Sequence, residues 1–241
     1  MLFEELTILQ SYSACDVSDA LLKLNVPGAG LIPDMLPFAP HAPYSADLDS
    51  QAKVVGPAST VAFVPKDPDQ SSTQAFDPNT PMWIPNIPPG THYVDLTSPE
   101  TVVVMSQPPD QRCAVLGGIM AARMKVRGAK GVVVGGRVRD LRELRSVDLP
   151  IWAQSTSTVG TALEAKPYAI DVPISVNGRN IQPGDIMFCD PLEGVVVIPQ
   201  KELENVLQLL PRLTEADDRV KEDIYQGGSV TAAFAKHRSS L

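Results

Sequence analysis

Apolar positions in this chain follow two periods. From residue 53 to 199 they come in short, β-branched runs: "KVVGPASTVAFV" (53–64), "TVVVMS" (101–106), "AVLG" (114–117), "KGVVVGG" (130–136), "LPIWAQ" (149–154), "DVPISV" (171–176), "GDIMFCD" (184–190) and "GVVVIP" (194–199). Runs of this length, punctuated by Gly, Pro and Asp, predict strands. The 130–136 run is almost continuously apolar, as expected of a strand buried on both faces, and Gly56-Pro57 marks a kink in the first run. Helical spacing frames the strands. Ser13 or Asp16 can cap a helix through 17–24, and residues 119–127 form another with Gly128 as its stop. Leu203, Val206, Leu207, Leu210 and Leu213 repeat at helical intervals, with Pro211 expected to kink or break that helix, and 230–237 closes the chain as a last helix. The pattern predicts a single α/β domain over 1–241 with a mixed central sheet and a strand–helix–strand unit across 114–136.

Proline changes this picture in two places. Many of the 23 prolines fall in 27–43 and 65–89. They remove backbone donors and fix φ, so neither stretch is expected to be a helix or a central strand. Both read as long ordered loops, of the kind that serve function or cover an interface.

Composition narrows the function classes. A chain of 241 residues with 44% hydrophobic content can bury a substantial core. A net charge of -8 argues against a nucleic-acid partner, and the Arg137, Arg139, Arg142, Arg145 cluster is interleaved with Asp140 and Glu143. No window approaches the roughly 18 apolar residues of a membrane span. The first residues, "MLFEELTILQSYSACD", lack the basic and apolar regions of a secretory signal. Cys15, Cys113 and Cys189 are too scattered for a disulfide framework, as are His41, His92 and His237 for a zinc site. A cytoplasmic location is the expectation.

The candidate chemistry lies in "GGIMAARMKVRGAKGVVVGGRVRDLREL" (117–144). A strand that ends in Gly117-Gly118 and opens a helix through Ile119 and Met120 presents free backbone N–H groups and a positive dipole end. That suits a carboxylate or phosphate, although a Gly pair also serves simply as a tight turn. Spacing excludes a dinucleotide fingerprint and a P-loop. The Arg139 guanidinium can grip a carboxylate with two bonds, while Asp140 is a hard oxygen ligand suited to magnesium. The competing reading is a surface salt-bridge cluster with Glu143 and Arg145. If the strands run parallel, both turns share one sheet edge, where α/β folds collect ligands. Arg139 and the N–H groups would then hold a 2-oxo acid, and a metal at Asp140 would polarise its keto oxygen.

The order Gly-Gly-x-Met-Ala, Arg-Gly-Ala-x-Gly-Val-Val-Val, Gly-Arg-x-Arg-Asp resembles the 4-hydroxy-4-methyl-2-oxoglutarate aldolase and oxaloacetate decarboxylase family, which includes the regulator-of-ribonuclease-activity-A-like proteins. "CDVSDAL" (15–21), "GTALEAKPYAIDVPISV" (160–176), "QPGDIMFCDPLEGVVVIP" (182–199) and "AFAKHR" (233–238) extend the resemblance along the chain. The Pro-rich loops resemble its fungal-type branch. The resemblance implies a β/β/α swivelling-domain fold, a homotrimer or hexamer with sites between subunits, and a divalent cofactor, Mg2+ or Mn2+. It assigns the substrate carboxylate to the backbone of Gly117, Gly118, Ile119 and Met120, substrate binding and catalysis to Arg139, and the metal to Asp140. Two positions depart from it. Gly118 and Gly135 stand where many members carry an acid, and a carboxylate at 135 would be expected to raise lyase activity.

These features point to a metal-dependent carbon–carbon lyase that decarboxylates oxaloacetate or cleaves 4-hydroxy-4-methyl-2-oxoglutarate to pyruvate. The alternatives are a non-catalytic trimeric binding or regulatory module and a family member repurposed for another reaction. Outside the site, Trp152 reads as a packed side chain and Trp83 as a loop pin. Asp190 and Glu193 read as turn residues, and the 201–222 segment as an ordinary packed helix.

Overall fold

The computed structural model describes residues 2–45, 52–67 and 83–239. Residues 68–82 of the second Pro-rich stretch lie outside the described residues. The helices are α1 (Leu2–Leu9), α2 (Ala14–Lys23), α3 (Gly118–Val126), α4 (Leu141–Ser146), α5 (Leu203–Tyr225) and α6 (Val230–His237). The strands are β1 (Leu31–Ile32), β2 (Leu36–Ala39), β3 (Val54–Pro65), β4 (Val102–Ser106), β5 (Ala114–Leu116), β6 (Gly131–Val138), β7 (Ile151–Thr156), β8 (Ala165–Ile170), β9 (Ile174–Val176), β10 (Arg179–Ile181), β11 (Ile186–Asp190) and β12 (Gly194–Ile198).

One mixed sheet of 10 strands runs β1-β12-β11-β3-β4-β6-β7-β2, with β5 beside β6 and β8 beside β3. Strands β3, β4, β6 and β7 are parallel neighbours. β5 takes over from β4 along the same strand, since Ser106 pairs with Gly135 and Ala114 with Arg137. The chain therefore makes two successive strand–helix–strand crossovers between parallel strands, β5–α3–β6 and β6–α4–β7, and both helices leave from the same edge of the sheet. That edge positions the site.

Local chemistry explains the boundaries. Ser13 caps α2 in a reciprocal box with Asp16, so both proposed caps take part. The Gly56-Pro57 dipeptide leaves β3 unbroken and marks a change of partner. Val54 to Pro57 pair with β11, and from Ala58 onward β3 pairs with β4. The first Pro-rich stretch is not wholly loop, because it supplies β1 and β2. These are the two outermost strands of the sheet order, where a missing N–H is tolerated. β6 runs on past Gly135-Gly136 to Val138, and its pairing with β7 shifts between Val134 and Arg137. Nor does Pro211 break the last long helix. Leu203, Val206 and Leu210 before it and Leu213, Ala216 and Val220 after it form one buried stripe. Each leucine or valine of the stripe is worth about 1.5–3 kcal/mol when fully buried, enough together to offset one lost helix hydrogen bond.

Three apolar clusters fill the molecule. One lies between α3, α4 and the parallel strands, around Met105, Val132 and Val134. A second covers the opposite face, around Val104, Val133 and Trp152. The third joins α1, α2 and α5 to β11 and β12. Trp83 pins its segment through an indole N–H donated to the Pro173 carbonyl at 2.7 Å. Asp190 organises the β11–β12 turn by accepting from the N–H groups of Leu192 and Glu193. No helix among the described residues is long and apolar enough to cross a membrane.

Candidate active site

The C-terminal ends of β3, β5, β6 and β7 converge on a cavity of about 220 Å³. Its lining includes Gly117, Ile119 and Met120 from the start of α3, Arg139 and Asp140 from the end of β6, and Gly160 and Thr161 after β7. Phe63 from β3, Pro167 from β8 and the His92-Tyr93 pair close the other side. The predicted site residues are thus brought together, with one exception: Gly118 is buried beneath the cavity and does not line it. A larger hollow of about 270 Å³ lies between α5 and α6. Its Asp223 is already paired with Lys236 and His237.

Backbone bonds fix the two turns against each other. The Arg139 N–H donates to the Leu116 carbonyl at 3.0 Å, so the end of β6 is tied to the end of β5. Arg139 then runs over bare glycine. A Cβ on Gly117 would fall 3.2 Å from Arg139 Cγ, and one on Gly160 would fall 2.9 Å from Arg139 Nη1. Either added side chain would push the guanidinium from its place. The Thr161 hydroxyl donates to the Ala114 carbonyl at 2.8 Å, and the Ala114 N–H to Val159 at 2.8 Å, holding this segment to β5.

Asp140 adopts the left-handed conformation, φ 60, as the residue before α4. Its side chain makes no cap to its own helix and instead reaches across to α3. Oδ2 accepts from the Gly118 N–H at 3.4 Å and lies 3.3 Å from Arg139 Nε. The two adjacent side chains therefore touch. The turn at the end of β6 bends Asp140 back over the α3 N-terminus. Arg145 sits outside this group, donating to the Phe38 carbonyl at 3.3 Å.

The departures from the family pattern have separate surroundings. Glu143 packs directly over Gly118: a Cβ at 118 would lie 2.5 Å from Glu143 Cβ, and closer still to its Oε2. Gly135 faces away from the cavity, and a Cβ there would meet Val176 Cγ1 at 2.6 Å and the Met105 carbonyl at 3.2 Å. An acid at 135 would point into the valine cluster on the far side of the sheet. It could serve neither as a base nor as a holder of metal waters in this cavity.

The same edge holds residues that sequence reasoning did not select: Phe63, His92, Tyr93, Gly160, Thr161 and Pro167. The Gly160-Thr161 pair stood in a quoted motif, so it was visible as a turn after a strand. Tyr93 is buried, packs edge-on to Phe63 with ring centroids 5.4 Å apart, and donates to the Val115 carbonyl at 3.4 Å. Burial raises its phenol well above the usual range. Below the cavity, Glu164 accepts from the N–H groups of Arg112 and Cys113 at 2.6 and 2.8 Å. The Cys113 bond, foremost, holds this carboxyl below its ordinary value.

A divalent ion is implied by the family resemblance, and the donor set here can be tested for it. Among the described residues no three His, Cys, Asp or Glu side chains gather as a metal cage. Magnesium, however, commonly keeps several waters and binds through one or two carboxylates plus substrate oxygens. Asp140, half-exposed at the cavity and using Oδ2 for both of its contacts, fits that mode.

Comparisons with known proteins agree with this fold. The RraA-like family profile, described as Aldolase/RraA, matches residues 14–197, which include every cavity residue. Protein DlpA of Legionella pneumophila is 25% identical over 221 residues, covering 92% of this chain and 32% of that protein. A putative 4-hydroxy-4-methyl-2-oxoglutarate aldolase of Halalkalibacterium halodurans is 36% identical over 125 residues, 52% of this chain and 58% of the relative. The chain thus spans less than two thirds of the length of either relative. Among solved structures, an uncharacterized protein from Pseudomonas syringae pv. tomato superposes with a TM-score of 0.71 at 24% identity, covering 95% of this chain and 96% of its own. Streptomyces coelicolor RraAS2, described as an unusual member of the RNase ES inhibitor RraA protein family, gives 0.67 at 23% identity, with 92% and 96% coverage. The two superpositions establish the fold, and the profile match establishes that this chain belongs to the RraA-like, Aldolase/RraA family.

Proposed function

We propose that the chain is a divalent-metal-dependent carbon–carbon lyase acting on a small 2-oxo acid. The observation that carries this reading is the meeting of Arg139, the first turn of α3 and Asp140 in one cavity at the ends of adjacent parallel strands. The aldolase names of the relatives from Halalkalibacterium halodurans and Thermus thermophilus support the same class. Arg139 and the α3 N–H groups hold the substrate carboxylate, as a guanidinium fork and a positive helix end are suited to do. Asp140 holds magnesium or manganese, which when bound draws electron density from the keto oxygen. Arg139 stays over the developing negative charge as the bond breaks. Its position is fixed in advance by Gly117 and Gly160, so it needs little reorganisation.

Ile119, Val159 and Leu163 are exposed beside the cavity. We assign them to contact with a second copy in a trimer or hexamer, which would finish the site. The non-catalytic regulatory module is the second reading, supported by the RNase-inhibitor description of RraAS2 and by Asp140 already resting on Arg139. Pyruvate release from a 2-oxo acid in the presence of Mg2+, abolished by EDTA and by Arg139→Ala, distinguishes the two.

A further inference from the structure

The structure assigns to Gln107 the spacing of the oxo-acid site: its side-chain amide, inserted between β6 and β5, sets how far the first turn of α3 stands from Arg139. The inference rests on the lyase reading above and adds to it a positioning residue that touches no substrate.

β4 and β5 both pair with β6, and the chain leaves the sheet between them at Pro108-Pro109. Gln107 is held just before that departure, its own N–H donating to the Gly135 carbonyl at 3.3 Å. Its side chain then fills the gap between the two strands. Oε1 accepts from the Arg137 N–H at 2.9 Å, and Nε2 donates to the Cys113 carbonyl at 2.8 Å. One amide thus relays a ladder bond from β6 to the residue before β5, as the peptide group of an intervening strand would. Bare backbone at Gly136 makes room for it, since a Cβ there would fall 2.7 Å from Gln107 Cβ. The Arg137 guanidinium takes no part, being turned to the Ser155 hydroxyl and the Thr156 carbonyl.

At its other end β5 meets β6 directly, through the Arg139 N–H on the Leu116 carbonyl at 3.0 Å. Between these ends the register shifts. Ala114 pairs with Arg137 and Leu116 with Val138, so β5 takes up one extra residue. The strand is therefore propped away from β6 where it starts and drawn onto it where it ends. Gly117 follows at once, and Arg139 crosses it so closely that a Cβ on Gly117 would lie 3.2 Å from Arg139 Cγ. A guanidinium and helix N–H groups can share one carboxylate only at a fixed separation, and a misplacement of about 1 Å can cost about 100-fold.

Calorimetry with Mg2+ and 2-oxobutanoate, which has no hydroxyl for retro-aldol cleavage, tests the inference apart from turnover. Gln107→Met keeps the length of the side chain and loses both bonds. Its Kd is expected to rise at least about tenfold with the number of binding sites per chain unchanged. KM for a cleavable 2-oxo acid should rise with it, while kcat changes less than about threefold, because the carboxylate is held alike before and during bond breaking. A merely structural role would lower the number of sites or kcat and leave Kd and KM at their wild-type values, and that result overturns the inference. Gln107→Glu gives a second readout. Its carboxyl can accept from Arg137 in either form but can donate to Cys113 only when protonated. Facing it are the Glu164 carboxylate, bonded to the Cys113 N–H, and the Cys113 thiol, whose Sγ is 3.6 Å from Gln107 Nε2. Measured against wild type at each pH, Gln107→Glu should regain affinity as pH falls, whereas Gln107→Met should not. Parallel profiles for the two variants also overturn the inference. If the variants behave as stated but the wild type cleaves no 2-oxo acid, the role of Gln107 stands and the lyase reading fails. Wild-type protein that binds no 2-oxo acid removes the site and the inference together.

Discussion

Glu143 stands in the space that a side chain on residue 118 would need. Its Cβ is 2.5 Å from where a Cβ at 118 would be built. Because that contact involves the root of the Glu143 side chain, a rotamer change cannot relieve it. Position 118 is glycine here because α4 packs its first turn onto the first turn of α3.

Gly118→Ala should therefore destabilise the protein by about 1–3 kcal/mol through overpacking, even though alanine in a helix is ordinarily better than glycine by about 1 kcal/mol. The same substitution in a Glu143→Gly background should cost less. Urea unfolding of the two singles and the double measures the coupling. A more stable Gly118→Ala protein would show that α4 yields easily, and would reopen the position to an acid.

Gly135→Asp tests the other departure. The sequence alone suggests that an acid there restores activity, whereas the structure directs it at Val176. The substitution should cost about 2–4 kcal/mol, from overpacking and from a carboxylate set against valine methyls, with no gain in turnover or metal affinity. A well-folded variant with tighter Mg2+ binding would contradict the orientation of β6.

Glu164 predicts an acid-sensitive step. Its carboxyl is held below its ordinary 4.5, chiefly by the Cys113 N–H. A lowered folded value means that the charged form stabilises the fold above the ordinary value. This contribution then disappears as pH falls through the lowered one. Melting temperature should drop over that acid window in the wild type, and Glu164→Gln should flatten this part of the profile. An identical profile in the variant would show that the anchor at Arg112 and Cys113 does not depend on the charge.

The apolar rim predicts association. Ile119 is 74% exposed and Leu163 57% exposed beside the cavity. Light scattering should give the mass of a trimer or hexamer, and Leu163→Glu should shift it toward smaller species. A wild-type protein that stays monomeric at tens of micromolar would remove the shared-site arrangement.

Much of this molecule can be read in its sequence because its strands are unusually plain. The valine runs at 102–105 and 131–134 are apolar at every position, and they form the centre of the sheet. Arg139 and Asp140 were legible because a glycine turn and a charged pair follow two consecutive strands. What was hidden was relational. Nothing local says that residues 31–32 and 36–39 cap opposite ends of the sheet, since edge pairing is decided by partners far along the chain. Pro211 was expected to kink or break a helix, and a buried stripe on both sides carries that helix through without a break. The contact between Arg139 and Asp140 depends on the left-handed turn at 140, and the orientation of Gly135 away from the cavity on the register of β6. Phe63, His92 and Tyr93 carry no motif and join the site only through the fold.

The most direct test is pyruvate formation by purified protein given a 2-oxo acid and Mg2+, with EDTA and Arg139→Ala as controls. Arg139 is half-exposed and its ion pair is of the weak surface kind. Its removal should change stability by less than about 1 kcal/mol while lowering turnover at least about 100-fold. Mg2+-dependent release that vanishes in both controls is the predicted result. No release from folded wild-type protein, or undiminished release by Arg139→Ala, would contradict the assignment of this cavity as a lyase site.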